Sequence, residues 1–141
     1  MKVRLSTVVL MLALGASYAA AGLQGAQNPN LLSNDPLILS DTHGYNFEPY
    51  LKELTNQVRM KWYSEMPDSA RRGQKGRVVL VFTVVRTGTA QDVRVVMNSG
   101  AESLDRASKA AIEDSSPFPG LPADFSDDRI VVQFTFLYNT R

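Results

Sequence analysis

The sequence predicts an α+β domain, a small antiparallel three-stranded sheet in the order α-β-β-α-β with two helices packed on one face. Three observations carry that expectation. Apolar residues recur at helical spacing in two stretches, 47–62 and 104–112. Three other stretches, 77–86, 90–98 and 129–138, place large apolar residues at every second position. The first two of these are joined only by Thr87-Gly88-Thr89, a connection that fits an antiparallel hairpin. A chain of 141 residues holds one ordinary domain and a tail.

Met1 to Arg4 carries two cations, and Leu5 to Ala21 carries no charge before ending in small residues, Ala19-Ala-Ala21-Gly22. This pattern predicts a signal peptide over 1–21. The run is at the bottom of the length that crosses a bilayer, so a retained N-terminal anchor is the less favoured alternative. No cysteine follows it, which excludes a lipoprotein anchor. Export of a cysteine-free chain points to the bacterial periplasm, with membrane association only if the first segment is kept.

Residues 22–46 read as a mostly irregular tail, rich in Asn, Gln, Gly and Ser and interrupted by Pro29 and Pro36. Within it Leu37-Ile-Leu-Ser40 is long enough for a short strand and too short for a helix. The folded domain is expected over 47–141.

Phe47, Leu51, Leu54, Val58 and Trp62 form one face of the first helix, with Asn46 as N-cap, Pro49 in the first turn and Pro67 as its stop. Gly73-Gln-Lys-Gly76 opens the strand Arg77–Arg86, which turns Val78, Leu80, Phe82 and Val84 inward. Ala90–Asn98 follows, turning Val93, Val95 and Met97. Ser103 is the expected cap of the second helix, whose stripe is Leu104, Ala107, Ala111 and Ile112. Ser115 to Pro122 forms a stiff loop. The closing strand, Arg129–Tyr138, alternates Ile130, Val132, Phe134, Phe136 and Tyr138. A one-residue slip would expose this whole set, so the alternation fixes the inward face. The other face carries Val79, Val81, Thr83, Val85, Arg94, Val96, Val131, Gln133, Thr135 and Leu137. Either these residues simply suit exposed strands, or the tail, a partner or a second copy covers them.

Composition excludes several kinds of chemistry. Without cysteine there is no thiolate metal site, iron–sulfur ligation or cysteine nucleophile, and one histidine cannot build a multi-histidine centre. A formal charge of +1 gives no electrostatic reason to expect nucleic-acid binding. His43, near Asp35 and Asp41, lacks a nucleophile to activate and reads as a solvated loop residue. Ser99 sits at a strand-to-helix turn without the Gly-x-Ser-x-Gly elbow. Asp124, Asp127 and Asp128 miss the calcium-loop spacing and read as solvated acids. Arg71, Arg72, Lys75 and Arg77 form a basic connector without interleaved aromatics, with docking to an acidic partner a minority reading. Pro119-Gly-Leu-Pro122 reads as a structural loop. No enzyme, cofactor or metal is expected.

The ordered motifs resemble the carboxy-terminal domain of the TonB and TolA family. They are Trp62-Tyr63 with Pro67-Asp-Ser-Ala70, Gly76-Arg-Val78 with Phe82, Gly88, and Ser99-Gly100 followed by Leu104-Asp-Arg-Ala107. Pro117-Phe-Pro-Gly-Leu-Pro122 and Phe134-Thr-Phe136-Leu-Tyr138-Asn139 complete the set. Upstream, Ile38-Leu-Ser-Asp41-Thr and Phe47-Glu-Pro-Tyr50-Leu look like a subgroup of energy transducers. The resemblance implies a non-catalytic adaptor of the Gram-negative cell envelope. It would bind an outer-membrane receptor or other envelope protein by strand addition at an open sheet edge. It makes the closing strand that edge, with Arg129, Val131, Gln133, Thr135 and Leu137 as partner-binding residues. Leu37 to Ser40 could pair with the sheet and occlude the same edge. The alternatives are a membrane-anchored TonB-type transducer serving outer-membrane transport and a structural envelope protein that self-associates, as a homodimer, through its edge or apolar face.

Overall fold

The computed structural model describes residues 34–140. The expected leader and the tail as far as residue 33 lie outside the described residues. The elements are β1 (Leu37–Ile38), α1 (Glu48–Ser64), α2 (Asp68–Arg71), β2 (Gly76–Val85), β3 (Ala90–Met97), α3 (Glu102–Ser115) and β4 (Arg129–Tyr138).

The α+β class, the hairpin and the two long helices on one face are as expected. Val78, Leu80, Phe82 and Val84 of β2 and the even-numbered residues of β4 join Tyr50, Leu54, Val58, Leu104, Ala111 and Ile112 in one buried cluster. Burying each such large side chain contributes about 1.5–3 kcal/mol. The three-stranded sheet is corrected to four strands, in the order β1-β4-β2-β3, and the expected element order α-β-β-α-β to β-α-α-β-β-α-β. The added strand is β1, and the closing strand is therefore not outermost along its whole length. The short apolar run in the tail finds a ladder to join, because β4 offers backbone groups on the side away from β2.

Local details also shift. Asn46 does accept the N–H of Glu48 (3.0 Å), although Phe47 holds the cap position. Ser103 is not the cap of α3. It lies inside the first turn and exchanges a hydrogen bond with Ser69 (2.8 Å), while Ala101 holds the cap position. Asp105 reaches back instead, accepting from the N–H and the hydroxyl of Ser99 at 2.8 Å each. The helix α2, opened by Pro67 and with Asp68 in its first turn, was hidden in what reads as a connector.

The second face of the sheet is buried at its centre. Val79, Val81, Gln133 and Thr135 are all buried, so the reading of that face as a solvated β surface fails at these four positions.

Candidate functional site

The sheet has two edges, and they differ in regularity. β3 pairs with β2 through two register shifts, between Val79/Leu80 and between Val81/Thr83. Asp92, at φ 52°, sits at the second shift, and exposed Asp92 and Arg94 decorate the strand. Bulges and charges of this kind disfavour the addition of another strand. β4, by contrast, pairs with β2 over ten consecutive residues without a shift, from Val85↔Arg129 to Gly76↔Tyr138. The side of β4 facing away from β2 is therefore the regular edge.

Which residues of β4 face outward follows from two bonds at Val131. The Leu39 N–H donates to the Val131 carbonyl (2.8 Å), and the Val131 N–H donates to the Ser40 hydroxyl (3.0 Å). Backbone direction alternates along a strand, so Val131, Gln133, Thr135 and Leu137 turn their N–H and C=O groups to the same side. The proposed set thus shares one edge. Its side chains do not share one environment: Arg129 is exposed, Val131 and Leu137 are half-buried, and Gln133 and Thr135 are buried.

Part of this edge is occupied. Leu37 and Ile38 lie opposite Gln133 and Val132 in an antiparallel ladder of two pairs. The segment is tied at both ends by side chains. Upstream, Arg77 donates to the Asn34 amide oxygen (3.0 Å), and Arg77 stands beside Leu137 in the ladder. Downstream, His43 Nε2 lies 2.8 Å from Asp127, two residues before β4 begins. A strap running from Asn34 to His43 thus follows the length of β4. Behind it, a cleft of about 730 Å³ separates it from one face of α1, lined by Pro36, Ile38, Leu51, Thr55 and Arg59.

His43 is accordingly more than a solvated loop residue. Its N–H is held by Asp41 (2.8 Å), and its ring bridges Asp41 and Asp127. The hydrogen bond and charge of Asp127, followed by the charge of Asp41, raise its pKa above the ordinary 6.5. The stabilisation this gives is fully present below pH 6.5 and is lost as pH rises through the folded-state value. Because His43 is the chain's one histidine, its ring-proton NMR titration is a single curve. That curve should have its midpoint above 6.5 and move down toward 6.5 in Asp127→Asn. An unmoved midpoint would refute the bridge.

The loop that presents Asp127 depends on residues that no motif signals. Arg86 donates to the carbonyls of Pro122 (3.0 Å), Phe125 (2.7 Å) and Asp127. Phe125 is 2 % exposed and meets Phe47 edge-on at 4.8 Å. The Pro119–Pro122 loop is structural, as expected: Tyr50 donates to the Pro119 carbonyl (2.6 Å), and burial pushes that phenol up to about 12. Asp124 and Asp128 are exposed, as are Arg71, Arg72 and Lys75. Ser99 serves the start of α3. Among the described residues there is no group of three or more His, Cys, Asp or Glu able to hold a metal, and no helix long and apolar enough to cross a membrane.

Residues 64–140 match the family model described as the Gram-negative bacterial TonB protein C-terminal. The chain is similar to Protein TonB of Pasteurella multocida (strain Pm70), 24% identical over 114 residues, which cover 79% of this chain and 44% of that protein. The chain therefore spans less than half the length of this relative. It also resembles the NMR structure of the Helicobacter pylori TonB C-terminal domain (residues 179-285), with a TM-score of 0.55 at 19% identity. That likeness covers 71% of this chain and 89% of the other, and it shows a shared fold.

Proposed function

The chain belongs to the family of Gram-negative bacterial TonB protein C-terminal domains, and from that membership we propose that it is an exported, non-catalytic module that captures an extended segment of an envelope protein by strand addition to β4. The partner we propose is an outer-membrane receptor, met in the periplasm. The observation that carries the reading is the asymmetry of β4, which among the described residues is paired with ten residues of β2 on one side and two of β1 on the other. A strand spanning that edge gains backbone hydrogen bonds along its length, and those bonds are the source of affinity in this mode of recognition.

Proline at Leu137 tests it. The Leu137 N–H faces away from β2, so the substitution removes an outward donor without removing a β2 bond. With a photoreactive residue at the exposed Arg129, the otherwise unaltered chain should crosslink in the envelope to an extended segment of an outer-membrane receptor. Leu137→Pro should reduce that adduct at least about tenfold, as expected when a donor of the binding ladder is left out, while the thermal midpoint stays within a few degrees. Undiminished crosslinking would sink the edge mechanism.

The likeness to Protein TonB of Pasteurella supports a second reading, a membrane-anchored transducer. N-terminal sequencing of the protein from fractionated envelope separates the two. A start near Gly22 in the soluble fraction favours the module, and retention of Met1–Ala21 with the inner membrane favours the transducer.

A further inference from the structure

We propose that the strap Asn34–His43 is an intrachain stand-in for the partner strand, so that the domain is autoinhibited until a segment of the same chemistry displaces it. This inference rests on the strand-addition reading. It adds that the site is closed at rest, and it specifies what opens it.

The geometry is that of a competitor and not of a core strand. Its ladder with β4 has two residue pairs, extended by the bond from Leu39 to Val131 and by the Ser40 hydroxyl in place of a backbone acceptor. Of its apolar residues, Leu37 and Ile38 are half-buried and Leu39 is 42 % exposed. A cleft lined by Pro36, Ile38, Leu51, Thr55 and Arg59 lies between it and α1. Two side-chain bonds clip it near its ends, Arg77 to Asn34 and His43 to Asp127. Both are exposed side-chain contacts of the kind that contribute modestly to stability. A contact surface this thin opens more readily than the ten-pair β2–β4 ladder.

The strap also describes the displacing segment. It runs antiparallel to β4 and sends one branched apolar side chain, Ile38, against the core cluster. It keeps polar groups at both ends. A partner segment that wins must offer the same antiparallel polarity and an apolar residue at the Ile38 position. It gains by continuing the ladder toward Leu137 and Arg129, where the strap makes side-chain contacts instead of further ladder pairs. Because the strap is tethered, it competes at an effective concentration in the millimolar range, and apparent affinity falls by the fraction of molecules in which the edge is open.

The test uses the full chain and the triple variant Asn34→Ala/Leu39→Pro/His43→Ala, which removes both clips and the donor to Val131. The probe is a fluorescent synthetic peptide with the sequence of residues 34–43. Hydrogen exchange at the Val131 amide and fluorescence of Trp62 are followed in parallel, the latter to verify that the core is intact. The variant should exchange faster at Val131, bind the peptide about tenfold or more tightly than the parent chain, and regain protection at saturation. Equal affinity in both proteins would overturn autoinhibition and leave strand addition standing. Faster exchange with no binding to either protein would overturn both. Unchanged exchange at Val131 would show that the strap does not cover the edge, and the inference would fail on that count alone.

Discussion

Gly88→Ala is expected to lower stability by about 3 kcal/mol or more, the range of substitutions that force a steric overlap at a special backbone conformation. Gly88 sits at φ +96° in the turn between β2 and β3. A Cβ built there would lie 2.0 Å from the Phe118 carbonyl oxygen and 2.9 Å from its carbon. Its own carbonyl accepts the Phe118 N–H (2.8 Å), so the turn cannot back away without breaking the bond that docks the Pro117–Pro122 loop. Phe118 in turn is 3 % exposed and stacks on Phe82. The overlap is with backbone, so no rotamer relieves it. Gly100→Ala is the matched comparison, because Gly100 has φ +89° but nothing within 4 Å of the added carbon. It should lose only about 1–2 kcal/mol, the cost of a left-handed conformation in a residue with a side chain. In thermal melts the Gly88 variant should fall by roughly 15 °C or more and the Gly100 variant by about 5–10 °C. Equal losses would mean that the turn is not pressed against the loop.

The contrast between these two glycines shows what could be read from the chain alone. Both announce turns, and the turns are where they were expected. That one of them also serves as the floor of a loop thirty residues away has no local signature. The same division runs through the molecule. Helices and strands were legible because Phe47, Leu54 and Val58, or Val78, Leu80 and Phe82, repeat with the period of the element that buries them. The closing strand was legible as a strand, and the short apolar run at Leu37 as one that could join it. Its rank within the sheet was not, since edge and interior positions in a small antiparallel sheet differ only in which backbone groups find partners. The candidate site followed suit. The outward set on β4 comes from alternation, whereas Asn34, Ser40, His43 and Asp127 act through contacts across 43 to 91 residues of sequence.

Arg86→Met is expected to cost about 2–4 kcal/mol and, at the same time, to loosen the strap. Hydrogen bonds from a charged donor are worth about 1.5–3 kcal/mol each before water replaces part of them. The Arg86 guanidinium holds three carbonyls, those of Pro122, Phe125 and Asp127, and so closes the loop that enters β4. A methionine of similar length keeps the packing of the stem and leaves all three acceptors without that donor. Lysine should rescue only partly, because a compact ammonium cannot reproduce a planar fork reaching several carbonyls. The second consequence separates this role from generic stabilisation. Asp127 is held through its carbonyl by Arg86 and holds His43 through its carboxylate. Loosening the loop should therefore bring the His43 titration down toward 6.5 and speed exchange of the Val131 amide, even below the melting temperature where the core is folded. A chain that melts earlier with an unmoved His43 midpoint would assign the loop's position to Phe125 and its aromatic neighbours. A chain that shows both changes would place Arg86 at the head of a relay, from the end of β2 through the 122–127 loop to the strap, that sets how readily the β4 edge opens.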